Sequence, residues 1–106
     1  MPEPLAWQVI VQSDEGLHLS NKQSLAFMER LVADGWEGNA LLSSGVDPDV
    51  VGVWFTVDDP RRGFAIDRAI ASFYNGLEAA GYAVDRPGWK FFVEAKPLFE
   101  RENHAA

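Results

Sequence analysis

Arg61-Arg62-Gly63 is the stretch of this sequence that comes nearest to a binding chemistry. It follows Asp58-Asp59-Pro60, which reads as a helix start with Asp59 as N-cap and Pro60 at the first helical position. Cations in a first helical turn oppose the helix dipole, so the two arginines require compensation. Pairing with Asp58 and Asp59 is one source, weak and common on surfaces. An external phosphate or carboxylate is the other, held by helix-start N–H groups, two guanidinium groups and the close approach that Gly63 permits. Gly63 stands alone, without the spacing of either glycine-rich nucleotide fingerprint.

The remaining reactive residue types are thinly spread. His18 lies between Leu17 and Leu19 and His104 near the C-terminus, too far apart in sequence for a metal motif. Ser13, Ser20, Ser43 and Ser44 have no nucleophile-elbow context, and no fixed nucleophile or orienting partner is recognisable beside His18, so hydrolase chemistry has no positive support. The chain contains no Cys, which excludes disulfides, thiolate zinc, iron–sulfur clusters and cysteine nucleophiles within it. Asp14, Glu15, Asp47, Asp49 and Asp85 are expected along one rim of the fold, but Asp47-Pro48-Asp49 lacks the ligand order of a calcium loop. A solvated acidic rim is the expectation, with no metal and no cofactor. With a net charge of −7 and only nine Lys and Arg, the chain repels phosphate backbones and anionic lipid, so neither nucleic acid nor membrane is an expected partner. Met1-Pro2-Glu3-Pro4 has no signal-peptide character, and no stretch approaches the roughly 18 apolar residues of a membrane span, which makes a cytoplasmic location the expectation.

Six elements must position these groups. Residues 6–12 alternate, with Trp7, Val9 and Val11 on one side and Gln8, Ile10 and Gln12 on the other, a half-buried strand. Ser20 and Gln23 have capping-box spacing, and Leu25, Met28, Leu31 and Val32 recur at helical spacing before Gly35, predicting a helix over 21–34. Two apolar runs, 39–44 and 50–57, flank a turn-forming Gly45-Val46-Asp47-Pro48-Asp49 and predict a hairpin. Ile66, Ile70, Phe73, Leu77 and Ala80 step by 4, 3, 4 and 3 up to Gly81, the clearest helix in the chain. After Arg86-Pro87-Gly88, Trp89, Phe91, Val93 and Ala95 alternate with Lys90, Phe92, Glu94 and Lys96 in a last strand that Pro97 ends.

The order β-α-β-β-α-β in 106 residues predicts a single α+β domain over 1–106 with a frayed tail at about 101–106. Its compact solution is a ferredoxin-like sandwich: a four-stranded antiparallel sheet in the order 4-1-3-2, with two helices on one face. The helix-covered face takes Trp7, Val9, Val11, Val51, Val53, Phe55, Val57, Trp89, Phe91 and Val93. The other presents Gln8, Ile10, Gln12, Gly52, Trp54, Thr56, Lys90, Phe92 and Glu94, too apolar a mixture for plain solvent.

Three occupants of that face follow. Leu98 and Phe99 can fold back over Trp54 and Phe92; a second copy or another protein can dock on Ile10, Trp54 and Phe92 with Gln8, Gln12 and Thr56 as rim; or a small ligand can lie between two such faces. The corresponding functions are a non-catalytic interaction or regulatory domain, and a ligand binder or small enzyme with His18 and Arg62 first in line. A third is an inhibitor presenting acidic surface to a basic macromolecular site.

Overall fold

The computed structural model describes residues 4–13, 17–43, 51–82 and 91–99. Its elements run β1 (Ala6–Ser13), α1 (Asn21–Ala33), β2 (Ala40–Ser43), β3 (Gly52–Val57), α2 (Arg62–Ala79) and β4 (Phe91–Leu98). The four strands form one antiparallel sheet in the order β2-β3-β1-β4, the expected 4-1-3-2 read from its other edge. Both helices lie on one face, α2 over β1 and β3, α1 against α2 and towards β2. The fold is the ferredoxin-like α+β sandwich. Among the described residues, no helix is long and apolar enough to cross a membrane.

Local chemistry explains the helix ends. Ser20 Oγ accepts from Gln23 N–H at 3.1 Å while Gln23 Oε1 accepts from Ser20 N–H at 2.9 Å, a complete capping box. At the other end Gly35 takes φ 94°, which lets Trp36 N–H reach Leu31 O and Gly35 N–H reach Val32 O. Gly81, at φ 96°, repeats the arrangement with Tyr82 donating to Leu77 O. Each is a Schellman closure that places an aromatic, Trp36 or Tyr82, back against the last helical turn.

Val9, Val11, Val51, Val53, Phe55 and Val57 are buried beneath the helices as their alternation predicts. Trp7 and Phe91 are half-buried and pack at the margin, Phe91 edge-on to Phe73 and Tyr74. Val93 corrects the expectation: it points to the helix side opposite Val11 yet is 39% exposed, because β4 is an outer strand and α2 sits over the inner two. The α2 stripe lies as predicted, with Phe73, Leu77 and Ala80 buried, whereas the α1 stripe is met by Leu31 and Met28 but not by Leu25 and Val32. In α1 the buried residues are Phe27 and Leu31, whereas Leu25 and Val32 face outward. In α2 they are Ala65, Ala69, Ser72, Phe73, Gly76 and Leu77, with Ile66 and Ile70 at the flank.

Two boundaries also move. Asp59 is not the N-cap of α2: its Oδ1 accepts from Arg61 N–H at 2.8 Å, a local turn that delays the helix to Arg62 and leaves Arg61 as a cap without a side-chain bond. β4 does not stop before Pro97 but runs through it to Leu98, since an edge strand pairs on one side only and tolerates a missing donor on the other. Trp89, Lys90, the 45–49 turn, Ser44, the 86–88 turn and the tail with His104 lie outside the described residues.

Candidate functional site

The helix-free sheet face is assembled by strand register. Opposite one another across β2, β3, β1 and β4 stand Leu41, Trp54, Ile10 and Glu94. The next row holds Gly52, Gln12 and Phe92, and the row on the other side Thr56, Gln8 and Lys96. Leu41 is 65% exposed, Trp54 45% and Phe92 60%, while Ile10 is half-buried between its neighbours. Cross-strand side chains at such positions touch, so Leu41, Trp54 and Ile10 make one apolar band across three strands, continued diagonally to Phe92. Gln8 and Thr56 are half-buried and Gln12 exposed around it. Glu94 and Lys96 close the β4 side as an exposed ion pair at 3.5 Å. Beside the band, an open depression of about 370 Å³ is lined by Ile10, Gln12, Phe92, Val93 and Glu94.

All six residues expected to bind a partner thus lie on this one surface. Leu98 does not fold back over it: it continues β4 opposite Ala6, six residues along the strand from Phe92, or about 20 Å. Phe99 just beyond is 45% exposed. Leu41 and Lys96 are members that the sequence reading left out. Lys96 was legible from the alternation of β4, whereas the four residues of β2 are too few to phase Leu41 without its pairing to Trp54.

Arg61 and Arg62 diverge at the start of α2. Arg61 makes a bidentate pair with Asp59, Nη2 to Oδ2 at 2.8 Å and Nε to Oδ1 at 3.0 Å, and lies over the Phe64 ring at 4.4 Å. Arg62 stands 5.9 Å from the centre of the Trp7 ring, whose Nε1 donates to Pro60 O at 2.9 Å. Gly63 is exposed with open space around its Cα. The guanidinium beside Asp59, and then the Arg61 N–H, hold its carboxyl down from an ordinary 3.8 to about 2, and Arg61 is raised in return. A depressed carboxyl stabilises the fold at pH above 3.8 and loses that contribution as pH falls from there to about 2. The Asp59 carboxyl, followed by NMR, should titrate near 2 in wild type and return towards 3.8 in Arg61→Ala. A wild-type midpoint near 3.8 would dissolve the pair. The guanidinium is 68% exposed, so its effect on global stability is small.

His18 is exposed, and its carbonyl accepts from the Tyr82 hydroxyl, tying the approach to α1 to the end of α2. Asp14, Glu15, Asp47, Asp49 and Asp85 lie outside the described residues. Among the described residues no group of three or more His, Asp or Glu is gathered to hold a metal ion. No family model, curated protein or solved structure matches the chain, so function has to be read from the surface itself.

Proposed function

We propose that this chain is a non-catalytic protein-interaction domain whose helix-free sheet face docks on the same face of a second copy. The band of Leu41, Trp54 and Ile10, extended by Phe92, is the observation that carries this reading. A contiguous apolar strip on an open sheet is the surface that association removes from water, and a flat antiparallel face packs on another about 10 Å away. Gln8, Gln12 and Thr56 supply a polar rim able to hydrogen-bond across the contact, as interfaces generally have. A protein partner other than itself would use the same residues. The depression beside Ile10 and Phe92 favours a second reading, in which pairing closes it into a pocket for a small apolar ligand.

Solution mass of wild type and Trp54→Glu, measured by light scattering, tests the proposal. A carboxylate in the centre of an apolar contact is desolvated without a partner, so the variant should keep its circular dichroism and lose the copy held on this face. Unchanged mass in a folded Trp54→Glu would overturn the face as a self-association site.

A further inference from the structure

We infer that the outer edge of β4 is a second self-complementary interface, pairing antiparallel with the same edge of another copy about a two-fold axis at Ala95. Backbone direction comes first. Ser13 N–H donates to Val51 O, so odd-numbered residues of β1 bond β3, and Gln8, Ile10 and Gln12 turn towards β4. Their partners Lys96, Glu94 and Phe92 therefore face inward, while Val93, Ala95 and Pro97 direct their backbone groups outward. Pro97 sits where its missing donor leaves the ladder with β1 intact.

Lysine, glutamate and proline on an edge ordinarily discourage strand addition. Against a second copy the same residues match. With Ala95 opposite Ala95, Glu94 stands opposite Lys96 of the copy and Lys96 opposite its Glu94, so that both cross-strand pairs on that face are of opposite sign. Ala95 then exchanges two backbone bonds with its counterpart, and each Val93 N–H meets the carbonyl of the opposing Pro97, which needs no donor from proline. A register centred on Glu94 would instead place two carboxylates face to face. The pairing also covers Val93, whose 39% exposure on the helix side α2 leaves unaccounted for, by setting it against Pro97 of the copy.

This edge pairs through the outward backbone of β4, whereas the sheet face packs through side chains, and Glu94 and Lys96 border both. The two-fold of the edge is normal to the sheet, whereas face-to-face packing has a two-fold parallel to it, and where these perpendicular axes meet above Ala95 they generate a closed tetramer. Masses measured by light scattering on wild type, Trp54→Glu, Ala95→Pro and the double variant separate the two interfaces. Ala95→Pro removes both central bonds while leaving the β1 ladder its donors; if proline unfolds the strand, Lys96→Glu, which turns the opposed charges like, takes its place, read together with its rescue by Glu94→Lys because Lys96 also borders the face. Four chains in wild type, two in each single variant and one in the double are expected. Restored mass in Glu94→Lys/Lys96→Glu would confirm the charge register. Ala95→Pro and Lys96→Glu at wild-type mass would overturn the edge, as would a two-chain wild type that Trp54→Glu reduces to one. A wild type halved by Ala95→Pro and unmoved by Trp54→Glu would uphold the edge and sink the face, and a monomeric wild type would overturn both.

Discussion

Phe27→Ala should cost about 3–5 kcal/mol in equilibrium urea unfolding, and Gly76→Ala, ordinarily a favourable change in a helix, should destabilise the wild type and stabilise that variant. Phe27 is fully buried where α1 meets α2, edge-on to Phe73 with ring centroids 5.7 Å apart. A Cβ at Gly76 would lie 2.7 Å from Cε1 and Cζ of its ring, closer than carbon atoms approach. Gly76 is therefore in α2 for clearance, against a helix propensity that favours Ala by about 1 kcal/mol. Overpacking at such a contact costs about 1–3 kcal/mol and exceeds that gain, so Gly76→Ala is net destabilising. With Phe27 trimmed, the added methyl fills part of the vacated space and the propensity is recovered, which reverses the sign. A domain of this size is stable by about 5–15 kcal/mol, so loss of the ring removes a large share. A stabilising Gly76→Ala in the wild-type background would show that the helices do not approach so closely there.

The same contact shows why helix phases were harder to read than strands. A strand offers two faces, and pairing locks neighbours together, so Val9, Val11, Val53, Phe55 and Val57 inside implied Ile10 and Trp54 outside. A helix offers a continuous choice of phase, and large apolar residues drew it towards Leu25 and Val32 in α1, while in α2 Phe73, Leu77 and Ala80 lie inside as their spacing implied and Ile66 and Ile70 fall at the flank. The buried seam of α2 also includes small residues, Ala65, Ala69, Ser72 and Gly76, of which Gly76 leaves room for Phe27 and Ser72 accepts from Trp36. Hydrophobicity alone carries no sign of that. Asp59 misled for a related reason: an aspartate before a helix can cap it or close a turn ahead of it, and bonding to Arg61 N–H decides between these only in three dimensions. Legibility of the candidate face was uneven on the same grounds. Seven residues of alternation, 6–12, sufficed for Gln8, Ile10 and Gln12, while Leu41 needed its strand partner and Val93 needed the position of α2.

Trp36 is where the consequences of the small-residue seam reach the sheet. Trp36→Ala should cost about 3–5 kcal/mol, because the indole is 3% exposed and packs edge-on to Phe55 with centroids 4.7 Å apart. Arg68 lies over its ring at 4.6 Å, and its Nε1 donates to Ser72 Oγ at 2.7 Å within the core. The bond is asymmetric in what its two halves can do alone. An indole N–H left without an acceptor keeps its full desolvation penalty, so Ser72→Ala should cost about 1–3 kcal/mol despite the better helix propensity of alanine. A serine hydroxyl can turn to the carbonyl one turn earlier in its own helix, so Trp36→Phe loses less through the bond than through ring size. In the Trp36→Phe background, Ser72→Ala should then become neutral or slightly favourable, a coupling of about 1–3 kcal/mol that a double-mutant cycle in urea measures directly. An undiminished cost of Ser72→Ala in that background would mean that the hydroxyl serves something other than the indole. Phe55 is the residue after Trp54 on β3, one facing the helices and the other the open surface. The anchor that Trp36 provides beneath Phe55 therefore fixes the strand that presents Trp54, and its loss should weaken the docking proposed for the open face without touching a residue of that face.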